Sequence, residues 1–256
     1  MATLIATFER TGRVLDVLFG SLVRWPVFAL HRRALLLREL AAGVAERVRT
    51  NLWSAVLLGT LVGWLLWRLP FLPANLNAPL KAQTAGILLP VFIKDGLPFL
   101  LLLVVRFGVP EMLRLAAMKH EGTMPAFAGF AYPESARFFW TAAAAFCVSF
   151  LFLALVVVYL TQATFLGLSA APQDGGVAAV LSSVLDVRRN VAQLPHAVSP
   201  NLLQVSFVRS LGFAAVTFFW AFYFAQRTTE PGHLPKSAGR MLLVATLSCV
   251  VVRLLN

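Results

Sequence analysis

Five stretches of this chain, at about 52–71, 85–107, 137–162, 202–226 and 238–255, are each long and apolar enough to cross roughly 30 Å of hydrocarbon. That property leaves little choice of fold. Inside a bilayer every backbone N–H and C=O has to be bonded within the structure, which only helices and closed barrels achieve, and unbroken apolar runs of this length specify helices. Of the 256 residues, 59% are hydrophobic and 13% charged. A soluble domain carries about a quarter of its residues as charges. The expected fold is an all-α membrane protein with about five transmembrane helices. Trp53 lies at one end of the first run and Trp64 and Trp67 near the other, as an interfacial aromatic belt requires.

Residues 1–50 have a different pattern. Leu4, Ile5, Phe8, Leu15, Leu18, Phe19 and Leu22 recur at helical spacing, with Glu9, Arg10, Arg13 and Asp16 on other faces. Pro26 breaks the pattern, and 28–49 forms a second amphipathic piece carrying Arg32, Arg33, Arg38, Arg47 and Arg49. Both pieces are expected to lie in the membrane interface rather than to cross it, with basic side chains near anionic headgroups. The chain then divides into an N-terminal interfacial segment, 1–50, and a five-span domain, 51–256. Acids and arginines run through the N-terminus, where a cleavable signal would have a basic tip and an apolar core, so the first span is expected to serve as the targeting signal.

Lysines and arginines set the orientation. With the N-terminus in the cytoplasm, fifteen flank the spans on the inside and five on the outside, which places the C-terminus outside. The segment 109–136 is then cytoplasmic, and 163–201, with a short helix expected at 177–189, is external. The formal charge of +11 follows from the same rule. No basic cluster with aromatic platforms points to nucleic acid.

Enzymatic motifs are not found. The sequence contains no GxxxxGK[ST], no HExxH and no G-x-S-x-G, and His31, His120, His196 and His233 are scattered. Cys147 and Cys249 both sit inside apolar runs, as small buried hydrophobes do. The reading is of a chain with no catalytic residue, no metal and no cofactor of its own.

Charge does occur inside the second span. Lys94-Asp95 interrupts it and Arg106 closes it. Ionisable residues at that depth cost about 3 kcal/mol each on insertion scales, so they face a protein interior or a watery cavity. Beyond Arg106, Val109-Pro110-Glu111 opens a helix with a proline and an acid in its first turn, and Gly122 with Pro125 ends it. This segment reads either as a short helix coupling the spans to a soluble partner or as a solvated loop.

The runs Lys94-Asp95-Gly96-Leu97-Pro98, Arg106-Phe107-Gly108, Met118-Lys119, Gly129-Phe130-Ala131-Tyr132-Pro133 and Arg137-Phe138-Phe139-Trp140 together resemble the MlaE/YrbE permease family. That family shows Arg-Glu-x-Gly-Pro, Arg-x-Gly, a Met-[Lys/Arg] pair, Gly-x-x-Pro and Pro-Arg. Arg209 before Ser210, and Ser237-Ala238-Gly239-Arg240 opening the last span, are similar to its fourth and fifth spans. Lys94-Asp95 stands where the family has Arg-Glu, Leu97 where it has glycine, Arg114 where an acid is usual and Ala136 where it has proline.

The resemblance implies the permease subunit of an ABC-type transporter of the bacterial inner membrane, moving phospholipid or a related lipid between inner and outer membranes. It further implies a second permease copy, a separate ATPase that binds ATP and Mg, a periplasmic MCE-domain ring and a STAS-domain subunit. Under it, Lys94, Asp95, Pro98 and Arg209 are lipid-path candidates, and Glu111, Arg114, Met118, Lys119 and Glu121 are ATPase-coupling candidates. The alternatives are an intramembrane ion pair that only packs helices and a non-transporting structural subunit of a membrane complex.

Overall fold

The computed structural model describes residues 33–68, 108–122, 133–170, 200–227 and 234–255, with a few isolated positions between them. Every extended element among these is a helix: α1 (Arg33–Arg68), α2 (Gly108–His120), α3 (Pro133–Ala170), α4 (Pro200–Arg227) and α5 (Leu234–Leu255). Four of them, α1, α3, α4 and α5, are long and apolar enough to cross a membrane. The chain is accordingly a helical membrane protein. The span expected at 85–107 and the amphipathic piece before Pro26 lie outside the described residues, apart from Gly20, Phe92, Gly96 and Leu97.

Prolines mark the helix starts. Pro133 and Pro200 are the first residues of α3 and α4, Pro235 is the second of α5 and Pro110 the third of α2. A proline in the first turn removes an N–H that has no helical partner there. At the other end of α2, Gly122 takes φ of 72° and its N–H donates to the Lys119 carbonyl at 3.1 Å. Only glycine adopts that left-handed conformation without strain, so the helix stops there.

Two boundaries differ from the sequence reading. The amphipathic piece at 28–49 and the span at 52–71 run together as the single helix α1, 36 residues long, which passes through the division expected at residue 50. No proline occurs between Arg33 and Arg68, so nothing interrupts its hydrogen-bond ladder. The third span, expected to end at 162, continues to Ala170. Toward that end Thr161, Gln162 and Thr164 are all buried. The short helix expected at 177–189 is helical at Leu181, Ser182 and Leu185, and the Asp186 N–H donates to the Ser182 carbonyl at 3.1 Å.

The contacts form two compact units. One comprises residues up to Arg47, Gly108–Val148 and Ala215–Asn256. Its core is aromatic: Phe139 of α3 meets Phe222 of α4 edge-on at 4.8 Å and Phe218 at 5.4 Å, and Phe146 meets Phe218 at 5.6 Å. Such tilted pairs add to the plain burial of large rings. The Trp220 indole N–H donates to the Ser248 hydroxyl at 3.0 Å, joining α4 to α5, and α2 packs on α5.

The other unit comprises Val48–Phe107 and Ser149–Ala214. Here α1 and α3 come unusually close. A Cβ placed on Gly63 would stand 2.6 Å from the Thr161 carbonyl oxygen, and one on Gly59 would stand 2.8 Å from Leu160 Cβ. Backbones approach in this way where small residues let van der Waals packing join helices that lipid cannot drive together. The Thr161 hydroxyl donates to the Gly59 carbonyl at 3.2 Å across the same contact. The opposite face of α1 exposes Trp53, Leu57, Leu61 and Trp64 at helical spacing. An apolar outer face is what a lipid environment calls for.

Candidate functional site

Arg47 is read from sequence as one basic residue of an interfacial face. In the structure it is buried, 5% exposed, and faces α2. Its Nε donates to Glu111 Oε2 at 2.9 Å and its Nη2 to Oε1 at 2.6 Å, a side-on bidentate pair. Nη1 donates to the Gly43 carbonyl at 2.9 Å. Glu111 is 3% exposed and also receives Arg114 Nη2 at 3.3 Å. Planar guanidinium and carboxylate groups match in this geometry, which gives direction as well as attraction.

A mixed cluster of charges surrounds the pair. Arg114 Nη1 lies 3.5 Å from Glu46 Oε2, and Arg137 Nη2 lies 3.3 Å from Glu39 Oε1. Glu39, Glu46, Arg47, Arg114 and Arg137 line a cleft of about 380 Å³. Its apolar wall comes from α3, through Phe138, Ala142 and Ala145. The Thr141 hydroxyl and the Nε of both Arg114 and Arg137 are buried there without a hydrogen-bond partner. The charges lining it are paired with one another across the cleft. Among the described residues no three His, Cys, Asp or Glu side chains gather as a metal site would require.

The expected coupling residues sort into two sets. Glu111 and Lys119 face inward: Glu111 holds Arg47, and the Lys119 ammonium donates to the Gln226 carbonyl at 2.6 Å. A cation at the last carbonyls of α4 satisfies acceptors that the helix itself leaves open. Met118 and Arg114 are half-buried, whereas Glu121 is exposed. The outward face of α2 consists of Leu113, Ala117 and His120, with the exposed Glu121 just beyond its end. Leu113 and Ala117 were not among the sequence candidates, because exposure of a small or apolar residue carries no local signal.

Of the lipid-path candidates, Lys94, Asp95 and Pro98 lie outside the described residues. Arg209 is half-buried on α4, between the fully buried Ser206 and Ser210. In the same unit Gln162 is 2% exposed and neither its amide oxygen nor its nitrogen has a partner. The Thr164 and Ser210 hydroxyls are buried and likewise unpartnered. No protein-family model matches the chain, and no curated protein matches it either.

Proposed function

We propose that the chain is the membrane-embedded permease subunit of an ABC-type lipid transporter of the bacterial inner membrane, resembling the MlaE/YrbE permeases. It works with a second permease copy, a separate ATPase, an MCE-domain ring and a STAS-domain subunit, and its N-terminus lies in the cytoplasm. The observation that carries this reading is the mounting of α2. Its first turn is held through Glu111 to Arg47 of α1 and its last through Lys119 to Gln226 of α4. A helix fixed at both ends, with Leu113, Ala117 and Glu121 outward, suits the transmission of force from a docked ATPase. Lys94, Asp95 and Arg209 remain the proposed charged lining of the lipid path.

The test is a paired substitution on the outward face, Ala117→Arg with Glu121→Arg. The ATPase subunit is expected to be lost from the purified complex while the chain inserts and folds as before. Undiminished recovery of the ATPase overturns α2 as the docking element. A structural, non-transporting subunit is the second reading. It is favoured by the fact that Glu111 and Lys119 are both engaged within the chain.

A further inference from the structure

The helix α2 is held in two different ways. Its inner face, Met112, Leu115 and Ala116, is buried, and a Cβ placed on Gly108 would stand 2.6 Å from Thr217 Cγ2 and 3.2 Å from Met241 Cε. On that side the hold is close packing. Toward α1 it is charge, through Arg47–Glu111 at 2.6 Å and Arg114–Glu46 at 3.5 Å, while Arg137–Glu39 at 3.3 Å ties α1 to α3. Between these ties lies the cleft of about 380 Å³.

The three pairs differ in exposure. The side chains of Arg47 and Glu111 are 6% and 3% exposed, whereas those of Glu39 and Glu46 are 39% and 58% exposed. Exposed pairs are weak and screened by salt, and buried pairs are screened much less. The helix also has a place to bend, one turn before Arg47. Gly43 is a poor helix former, and Arg47 Nη1 donates to its carbonyl at 2.9 Å, competing for an acceptor of the helical ladder. Beneath the ties, the Thr141 hydroxyl and the Nε of Arg114 and Arg137 are sealed from solvent with no hydrogen-bond partner among the described residues. Buried polar groups are nearly all bonded, so water reaching these three favours an open cleft.

We propose that the first part of α1, 34–46, is a strap that closes the cleft at low ionic strength and swings away at high ionic strength, pivoting beside the Arg47–Glu111 pair. Salt screens the Glu39 and Glu46 pairs and leaves the buried pair intact. Opening uncovers Phe138, Thr141 and Ala142 of α3 while α2 stays seated at Gly108 and Glu111. The chain thereby reads the ionic strength of the compartment that bathes the start of α1. The device does not depend on the transport reading.

The full-length chain in a non-ionic detergent, with Cys147→Ala and Cys249→Ala, receives Thr141→Cys, and labelling of the new thiol by a water-soluble maleimide is followed at about 20 and about 500 mM salt, where the screening length falls from about 20 Å to about 4 Å. The rate is taken relative to Ala117→Cys on the exposed face of α2, which cancels the effect of salt on the reagent. A rise of about fivefold is expected, the scale of two exposed ion pairs. Adding Glu39→Gln with Glu46→Gln is expected to give fast labelling at both salt concentrations. If Thr141→Cys fails to fold, Ala142→Cys, which also lines the cleft, replaces it. An unchanged rate, or a salt response that persists in the Gln variant, overturns the proposal. So does an equal rise at Ala116→Cys, a position 1% exposed and away from the cleft, because the whole unit is then loosening.

Discussion

The Lys119 ammonium donates to the main-chain carbonyl of Gln226 at 2.6 Å, bridging 107 positions of sequence. Together with the bond from Arg47 to Glu111, it leaves α2 with a different helix holding each end. Removing either hold separately tells how much each contributes.

Breaking the buried pair is costly in one direction only. Glu111→Ala leaves the Arg47 guanidinium buried without its carboxylate, and a loss of about 3 kcal/mol or more of stability is expected. Replacing both residues together, Arg47→Met with Glu111→Met, is expected to recover most of that loss, because a well-packed apolar pair avoids the desolvation of two charges. Chemical unfolding of the two variants and the parent in detergent checks this. Equal destabilisation by the single and double changes would show that the pair itself, rather than the stranded charge, holds α2.

Glycines in the spans should respond with opposite signs. Gly63→Ala puts a methyl group 2.6 Å from the Thr161 carbonyl oxygen, so α1 and α3 must separate and the melting temperature is expected to fall. Gly212→Ala meets nothing within 4 Å, and helix propensity alone is expected to raise stability by up to about 1 kcal/mol. Thermal unfolding of the two variants side by side tests the assignment of the close contact.

Gln162 is buried with both amide groups unsatisfied. Burying an unpaired amide costs roughly 1–3 kcal/mol on protein scales, so Gln162→Leu, of similar size, is expected to raise the melting temperature. A fall instead would show that the amide is paired in the membrane.

The transport proposal makes its own prediction. Lys94→Leu with Asp95→Leu is expected to abolish lipid flux in reconstituted vesicles and to leave subunit assembly intact. Flux at the parent rate would reduce these charges to helix packing.

Sequence alone made most of the helices legible, and the reasons differ by element. The fourth span, expected at 202–226, is α4 at Pro200–Arg227, because an apolar run bounded by Pro200 and Arg227 leaves little latitude. The third span is expected at about 137–162, whereas α3 runs on to Ala170, because burial of polar side chains such as Thr161, bonded to Gly59 of α1, is not visible in a hydropathy pattern. Arg47 could not be told from Arg38 or Arg49 by spacing. What separates it is Glu111, which lies 64 positions away. The cleft is equally illegible, because its lining comes from α1, α2 and α3, and no one of these segments carries a motif.

That 64-residue interval also orders the birth of the protein. Arg47 leaves the ribosome several seconds before Glu111 at ordinary synthesis rates of about 5–20 residues per second. Over that interval its guanidinium lacks Glu111 and is best left in water or among headgroups. The Arg47–Glu111 pair can therefore close only once α2 has been made. A chain truncated between the two residues is predicted to keep Arg47 accessible to water, and a full-length chain to shield it.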